Sequence, residues 1–149
     1  MDLHPAAASW PVPLLCMAAI FWLLDARVPG GHFRRAQSVV VLFAILGIIA
    51  AFFSGYRASE YAEATFVFPE DVVSMHHLWG KFTLFASLVL GVLTWIAPRA
   101  TQNPRGWRVA VLVFLLLTLG LAGVTSWRGG KAVFEHGAGV RAPIKAIRE

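Results

Sequence analysis

Charged side chains are so sparse in this chain that they leave four long uncharged runs. There are 22 residues between Asp2 and Asp25, 21 between Arg35 and Arg57, 17 between Lys81 and Arg99, and 19 between Arg108 and Arg128. A helix rises about 1.5 Å per residue, so roughly 20 apolar residues cross a hydrocarbon layer about 30 Å thick. The first, second and fourth runs meet that length. The third meets it once its helix starts at Pro69-Glu70-Asp71, where proline suits a first turn and two acids suit the positive end of the helix dipole. Lys81 then lies inside the span, with a stem long enough to return its ammonium to water.

Composition closes the other options. Hydrophobic residues make up 58% of the 149 and charged residues only 14%, whereas a soluble domain carries about 25% charged residues to wet its surface. A mean hydropathy of +0.66 excludes disorder, and a pI near 10.2 describes an apolar body with basic ends. The sequence predicts an all-α integral membrane protein, an up-down-up-down four-helix bundle forming one domain. Its spans fall near 8–26, 36–57, 70–97 and 107–128, and 129–149 forms an outer tail.

Tryptophan placement agrees with an interfacial belt: Trp10, Trp79 and Trp127 at one set of helix ends, Trp95 and Trp107 at the other, Trp22 near the end of the first span. Turn formers mark the connections, at Pro29-Gly30-Gly31, from Tyr56 to Pro69, and from Pro98 to Gly106. Gly47, Ala51 and Gly55 repeat every four residues on the second span, and Ser87 and Gly91 on the third. Such stripes serve helix contact or leave clearance around a planar cofactor, and the two uses look alike in sequence.

Loop charge sets the orientation. The first connection (Asp25, Arg27, Arg34, Arg35) nets +2 and the third (Arg99, Arg105, Arg108) +3, while the middle one (Arg57, Glu60, Glu63, Glu70, Asp71) nets −3. The positive-inside rule puts the first and third loops in the cytoplasm and both termini in the periplasm of a bacterial inner membrane. The tail, with Arg128, Lys131, Arg141, Lys145 and Arg148 against Glu135 and Glu149, argues the other way, but two short loops outweigh a segment that follows its helix. Arg141 to Arg148 is expected to be solvated, with anionic lipid or an acidic electron carrier as its other partners. Asp2 replaces the positive start of a signal peptide, so the first span is retained. Cys16 has neither a disulfide partner nor a CxxCH context, which excludes covalent haem and leaves it a structural role.

The chemistry resides in the histidines. Of five, His4, His76, His77 and His136 fall on the outer side under this topology, and His32 stands alone on a cytoplasmic loop. Ionisable groups near membrane depth are costly, so their convergence on one rim marks a functional site. Imidazoles on opposite faces of a haem ligate its iron, and helical bundles hold such cofactors between facing helices. Zinc or copper would accept imidazoles too, but thiolates are lacking and methionine is scarce. His76 and His77 are about 100° apart on a helix, so only one points into the bundle and the other faces lipid or water. No phosphate loop, HExxH, GxSxG or carboxylate pair within a span is present, so hydrolase, kinase, nucleotide-binding and proton-pump readings have no support, nor does nucleic-acid binding.

Three segments resemble a bacterial membrane family known as domain-of-unknown-function family 2231. They are His4-Pro5 followed by Pro11, His76 with Gly80 opening span three, and the run Gly129-Gly130-Lys131-Ala132-Val133-Phe134-Glu135-His136-Gly137-Ala138-Gly139-Val140. Gly55 also fits, and the likeness spans residues 4 to 140. The resemblance implies a small four-helix membrane unit in a redox setting, since some members are joined to c-type cytochrome or Rieske domains. His4, His76 and His136 are the matching set of cofactor-binding residues, with His77 as an outside candidate. Where the family carries a second histidine in span one this chain has Ser9, which removes one ligand and weakens a two-haem arrangement.

Together these features predict a haem b-binding electron-transfer subunit with the haem near the periplasmic face, linking quinol and a cytochrome-type partner. His76 and His136 are the expected axial ligands, with His4 an alternative ligand or a partner of a haem propionate. Gly129 and Gly130 are expected to fold the chain back over the rim, carrying His136 above the pocket. The rival readings are a cofactor-free accessory subunit of a larger redox complex, and a metal-binding or transport protein, against which the lack of a polar chain across the spans counts.

Overall fold

The computed structural model describes residues 3–28, 30–65, 70–99 and 102–137. Among them there is no strand, and four helical segments are long and apolar enough to cross a membrane: His4–Arg27, His32–Tyr61, Asp71–Ile96 and Pro104–Phe134. The first is built of two helices, α1 (His4–Ser9) and α2 (Pro11–Arg27), broken at Trp10. Pro11 and Pro13 cause the break, because each lacks an N–H and its ring crowds the carbonyl four residues back. The remaining three are α3 (His32–Thr65), α4 (Glu70–Ile96) and α5 (Pro104–Phe134). The helices therefore close a four-membered ring, α2 on α3, α3 on α4, α4 on α5 and α5 on α2, with α1 lying on α3.

Several helix boundaries differ from the spans read in sequence. The first crossing begins at His4 rather than near residue 8. Helix α3 runs on to Thr65 instead of ending at 57, since Ala58 to Ala64 holds no glycine or proline to stop it. Helix α5 begins at Pro104, where the left-handed Asn103 (φ 49°) accepts the Gly106 N–H at 3.0 Å, and it continues past 128 to Phe134. The tail's residues 138–149, including Arg141, Lys145 and Arg148, lie outside the described residues.

The core is thin and apolar. Leu15 and Ala18 of α2, Val41 and Ala44 of α3, Leu90 of α4 and Leu115 of α5 are almost wholly enclosed. Larger apolar side chains face outward instead: Phe43, Phe53, Phe85 and Trp95 are 57%, 65%, 69% and 65% exposed. A soluble protein seldom leaves so much apolar surface uncovered, whereas lipid tails solvate it without cost. The chain is a multi-pass membrane protein. Cys16 also lies on the exposed surface and takes no part in the core.

The small-residue stripes serve helix contact along most of their length. A Cβ on Gly47 would stand 3.3 Å from Pro11 Cγ, and one on Gly91 would stand 2.9 Å from Ile45 Cδ1. Contrary to the expectation of spans without a polar chain, α4 carries His76, Thr83, Ser87 and Thr94 at intervals of seven, four and seven, on one helix face. The hydroxyls of Thr83 and Ser87 bond to carbonyls of their own helix, at 2.9 Å to Trp79 and 2.7 Å to Leu84. Thr83 also meets the Thr125 hydroxyl of α5 at 2.9 Å, a polar clasp between two helices.

Candidate functional site

At one end of the bundle, the start of α1, the stretch of α3 from Ala51 to Tyr56, the start of α4 and the later turns of α5 come together. His4 is the first residue of α1, and its ring lies on α3: Nδ1 is 3.0 Å from the Ala51 carbonyl oxygen and 3.3 Å from Ser54 Oγ. His76, in the second turn of α4, reaches the other way to α5, with Nδ1 3.1 Å from the Thr125 carbonyl oxygen. A carbonyl oxygen can only accept, so Nδ1 carries the hydrogen in both rings. In the neutral imidazole the lone pair then belongs to Nε2.

The two rings have centroids 6.2 Å apart and planes 84° to each other. Two glycines make this approach possible. A Cβ on Gly55 of α3 would fall 2.7 Å from His4 Cε1, and one on Gly129 of α5 would fall 3.1 Å from His76 Cε1. Only a residue without a side chain lets each imidazole lie directly against a neighbouring backbone.

His77, offset by about 100° from His76 on the helix, is only partly buried. It stacks on Tyr56 of α3, with centroids 6.1 Å apart and planes within 18°, and its ring is 6.2 Å from that of His76. Adjacent histidines thus reach different neighbouring helices because α4 is flanked on both sides. Tyr56, at a position read in sequence as the start of a loop, belongs to the site because α3 continues beyond it.

His136 stands apart from this group. Helix α5 passes straight through Gly129 and Gly130, and the left-handed turn comes only at Gly137 (φ 72°). The expected fold-back at the glycine pair does not occur. His136 lies in the turn after the helix, its N–H bonded to the Lys131 carbonyl oxygen at 3.3 Å. Among the described residues it makes no ring contact with His4, His76 or His77. His32, at the start of α3, is exposed at the opposite end.

Among the described residues no group of three or more His, Cys, Asp or Glu side chains gathers closely enough to hold a metal ion. Two imidazoles alone leave a tetrahedral zinc site short of ligands. A haem needs no more than two from the protein, because its own ring occupies the other positions on iron.

The opposite end is built on a buried carboxylate that sequence reading counted only as loop charge. Asp25 Oδ2 lies 3.1 Å from Arg108 Nη2 and 3.4 Å from Arg34 Nη2, with its side chain 3% exposed. The Trp22 indole donates to the Arg108 carbonyl at 3.2 Å, so α2, α3 and α5 are tied together there. The only signal in sequence is an acid placed before a cluster of arginines at a helix end, which gives the pairing of charges but not the burial.

Comparison of the chain with protein families, with curated proteins and with solved structures finds no match.

Proposed function

We propose that this protein is a membrane electron-transfer subunit that holds haem b at its histidine end, with the imidazoles of His4 and His76 on the iron. The observation that carries the reading is the pairing of the two rings, each with Nδ1 committed to a backbone carbonyl and 6.2 Å from the other. With Nδ1 of each ring committed to a carbonyl, two Nε2 lone pairs remain, the number of protein donors that a haem would take from His4 and His76.

Histidines that bind metals commonly donate their second N–H to a backbone carbonyl, which fixes the tautomer and raises ligand basicity. Ala51 and Thr125 supply those carbonyls here. Gly55 and Gly129 let the rings sit low against α3 and α5. Haem, when bound, supplies reversible one-electron chemistry at iron. Imidazole ligation and the polarity of the surroundings would set the potential of that iron.

The arginine end, with Arg34, Arg35, Arg99 and Arg108, takes the cytoplasmic side by the positive-inside rule. Both termini and the haem then face the periplasm of a bacterial inner membrane. A c-type cytochrome or a Rieske protein is the partner suited to that face, with quinol on the other side of the transfer. His77 lies beside the pair, and His136 belongs to the turn after α5.

The test is the dithionite-reduced minus oxidised spectrum of the full chain purified in detergent from haem-replete cells, together with elemental analysis. A low-spin haem b spectrum at one haem per chain supports the reading. A featureless spectrum with stoichiometric copper or zinc replaces haem with a bare metal. A featureless spectrum without metal leaves a cofactor-free accessory subunit.

A further inference from the structure

Three buried side chains at the arginine end keep a polar atom without a partner among the described residues: Asp25 Oδ1, Gln37 Nε2 and Thr94 Oγ1. They come from α2, α3 and α4, and their residues are only 8%, 5% and 9% exposed. Buried polar atoms are normally satisfied, so three orphans in one place require a common explanation. All three line a single cavity of about 30 Å³, together with Trp22, Arg108 and Val111. On this measure about 10–15 Å³ admits one water, given two to four polar partners.

The chemistry of the lining selects among occupants. Asp25 Oδ1 requires a donor, the Gln37 amide nitrogen requires an acceptor, and the Thr94 hydroxyl takes either role. A cation is disfavoured because Arg34 and Arg108 both lie against the same carboxylate and leave the cluster with a positive balance. An anion would meet the lone pairs of Oδ1. A small neutral molecule that donates and accepts at once satisfies every group.

We infer that Asp25, Gln37 and Thr94 enclose one or two bound water molecules that join α2, α3 and α4 at the arginine end. Arg34, Ser38 and Pro98 line this chamber and also a wider cleft of about 650 Å³ that includes His32 and Arg35. The bound water therefore exchanges with solvent through the basic mouth, and Asp25, buried at this end of the bundle, stays in contact with the aqueous phase on that side only.

Synchrotron hydroxyl-radical footprinting of the full chain in lipid nanodiscs tests this, because radicals form at bound water and mark the side chains beside it. Trp22 is expected to be oxidised, and to take up label after mixing with H2(18)O more slowly than the interfacial Trp95 ring, which lies under the Arg99 guanidinium. Thr94→Val combined with Gln37→Leu is expected to lower Trp22 oxidation several-fold and leave Trp95 unchanged. Trp22 left unmarked in the unsubstituted chain, or marked equally in the double variant, overturns the inference. A crystal structure of the unsubstituted chain gives an independent reading. A density peak within hydrogen-bond distance of all three atoms supports it, and an empty chamber, or bromide in place of the peak after soaking, overturns it.

Discussion

The His76 imidazole lies directly on the backbone of Gly129, where a Cβ would stand only 3.1 Å from Cε1, and its Nδ1 bonds to the Thr125 carbonyl one turn earlier on the same helix. His4 repeats the arrangement on α3, with Gly55 beneath the ring and Ala51 one turn earlier as acceptor. Each histidine thus docks on a glycine-and-carbonyl step of the adjacent helix. The two steps face a common mouth.

Alanine at these steps sets two effects against each other. Glycine within a helix costs about 1 kcal/mol relative to alanine, while overpacking a tight contact costs about 1–3 kcal/mol. Gly120 has nothing within 4 Å of its Cβ direction, so Gly120→Ala is expected to stabilise the chain by up to about 1 kcal/mol. Gly129→Ala, at 3.1 Å, is expected to be near neutral, and Gly55→Ala, at 2.7 Å, to lose about 1–2 kcal/mol. Unfolding of the detergent-solubilised variants orders the three. Equal stabilisation by all would show that the histidines do not occupy these steps.

The arginines around Asp25 are unequal. Arg108 is closer, at 3.1 Å and 32% exposed, and Arg34 is at 3.4 Å and 43% exposed. Removing one partner of a fully buried pair costs about 3–5 kcal/mol, and partial solvent screening lowers this to about 2 kcal/mol for Arg108→Leu. Arg34→Leu is expected to cost less than about 1 kcal/mol. Chemical denaturation of both variants checks the ranking, and an equal or reversed order contradicts it.

The Thr83–Thr125 clasp should contribute modestly. Hydrogen bonds between membrane helices average about 0.6 kcal/mol, so Thr83→Val and Thr125→Val are each expected to lose about that much. A double variant should lose little more than either single one, since they share one bond. The His76 bond goes to the Thr125 carbonyl, so haem content should survive both substitutions. Additive losses would mean that the hydroxyls act separately.

The crossings were legible because the hydrocarbon layer imposes a length, and the uncharged runs beginning after Asp2, Arg35 and Arg108 meet it. Helix ends were not, because Ala58 to Ala64 and Gly129-Gly130 are polar or glycine-containing stretches that a long helix simply continues through. The gathering of His4, His76 and His77 at one end follows from counting crossings. The partnership of His4 with His76, rather than His76 with His136, does not, since it depends on which face of α4 meets α5 and on where α5 stops. Asp25 was missed for a related reason: its sequence neighbours give its charge but not the burial that α2, α3 and α5 impose on it.

The proposed holding of haem by His4 and His76 is tested most directly by the spin state of haem in single-histidine variants. The account predicts that the unsubstituted protein carries low-spin haem b. His4→Ala and His76→Ala should each convert it to high-spin or lose it, added imidazole should restore the low-spin form, and His136→Ala should leave the spectrum unchanged. Low-spin haem retained in both His4→Ala and His76→Ala, or lost on replacing His136 alone, would contradict it.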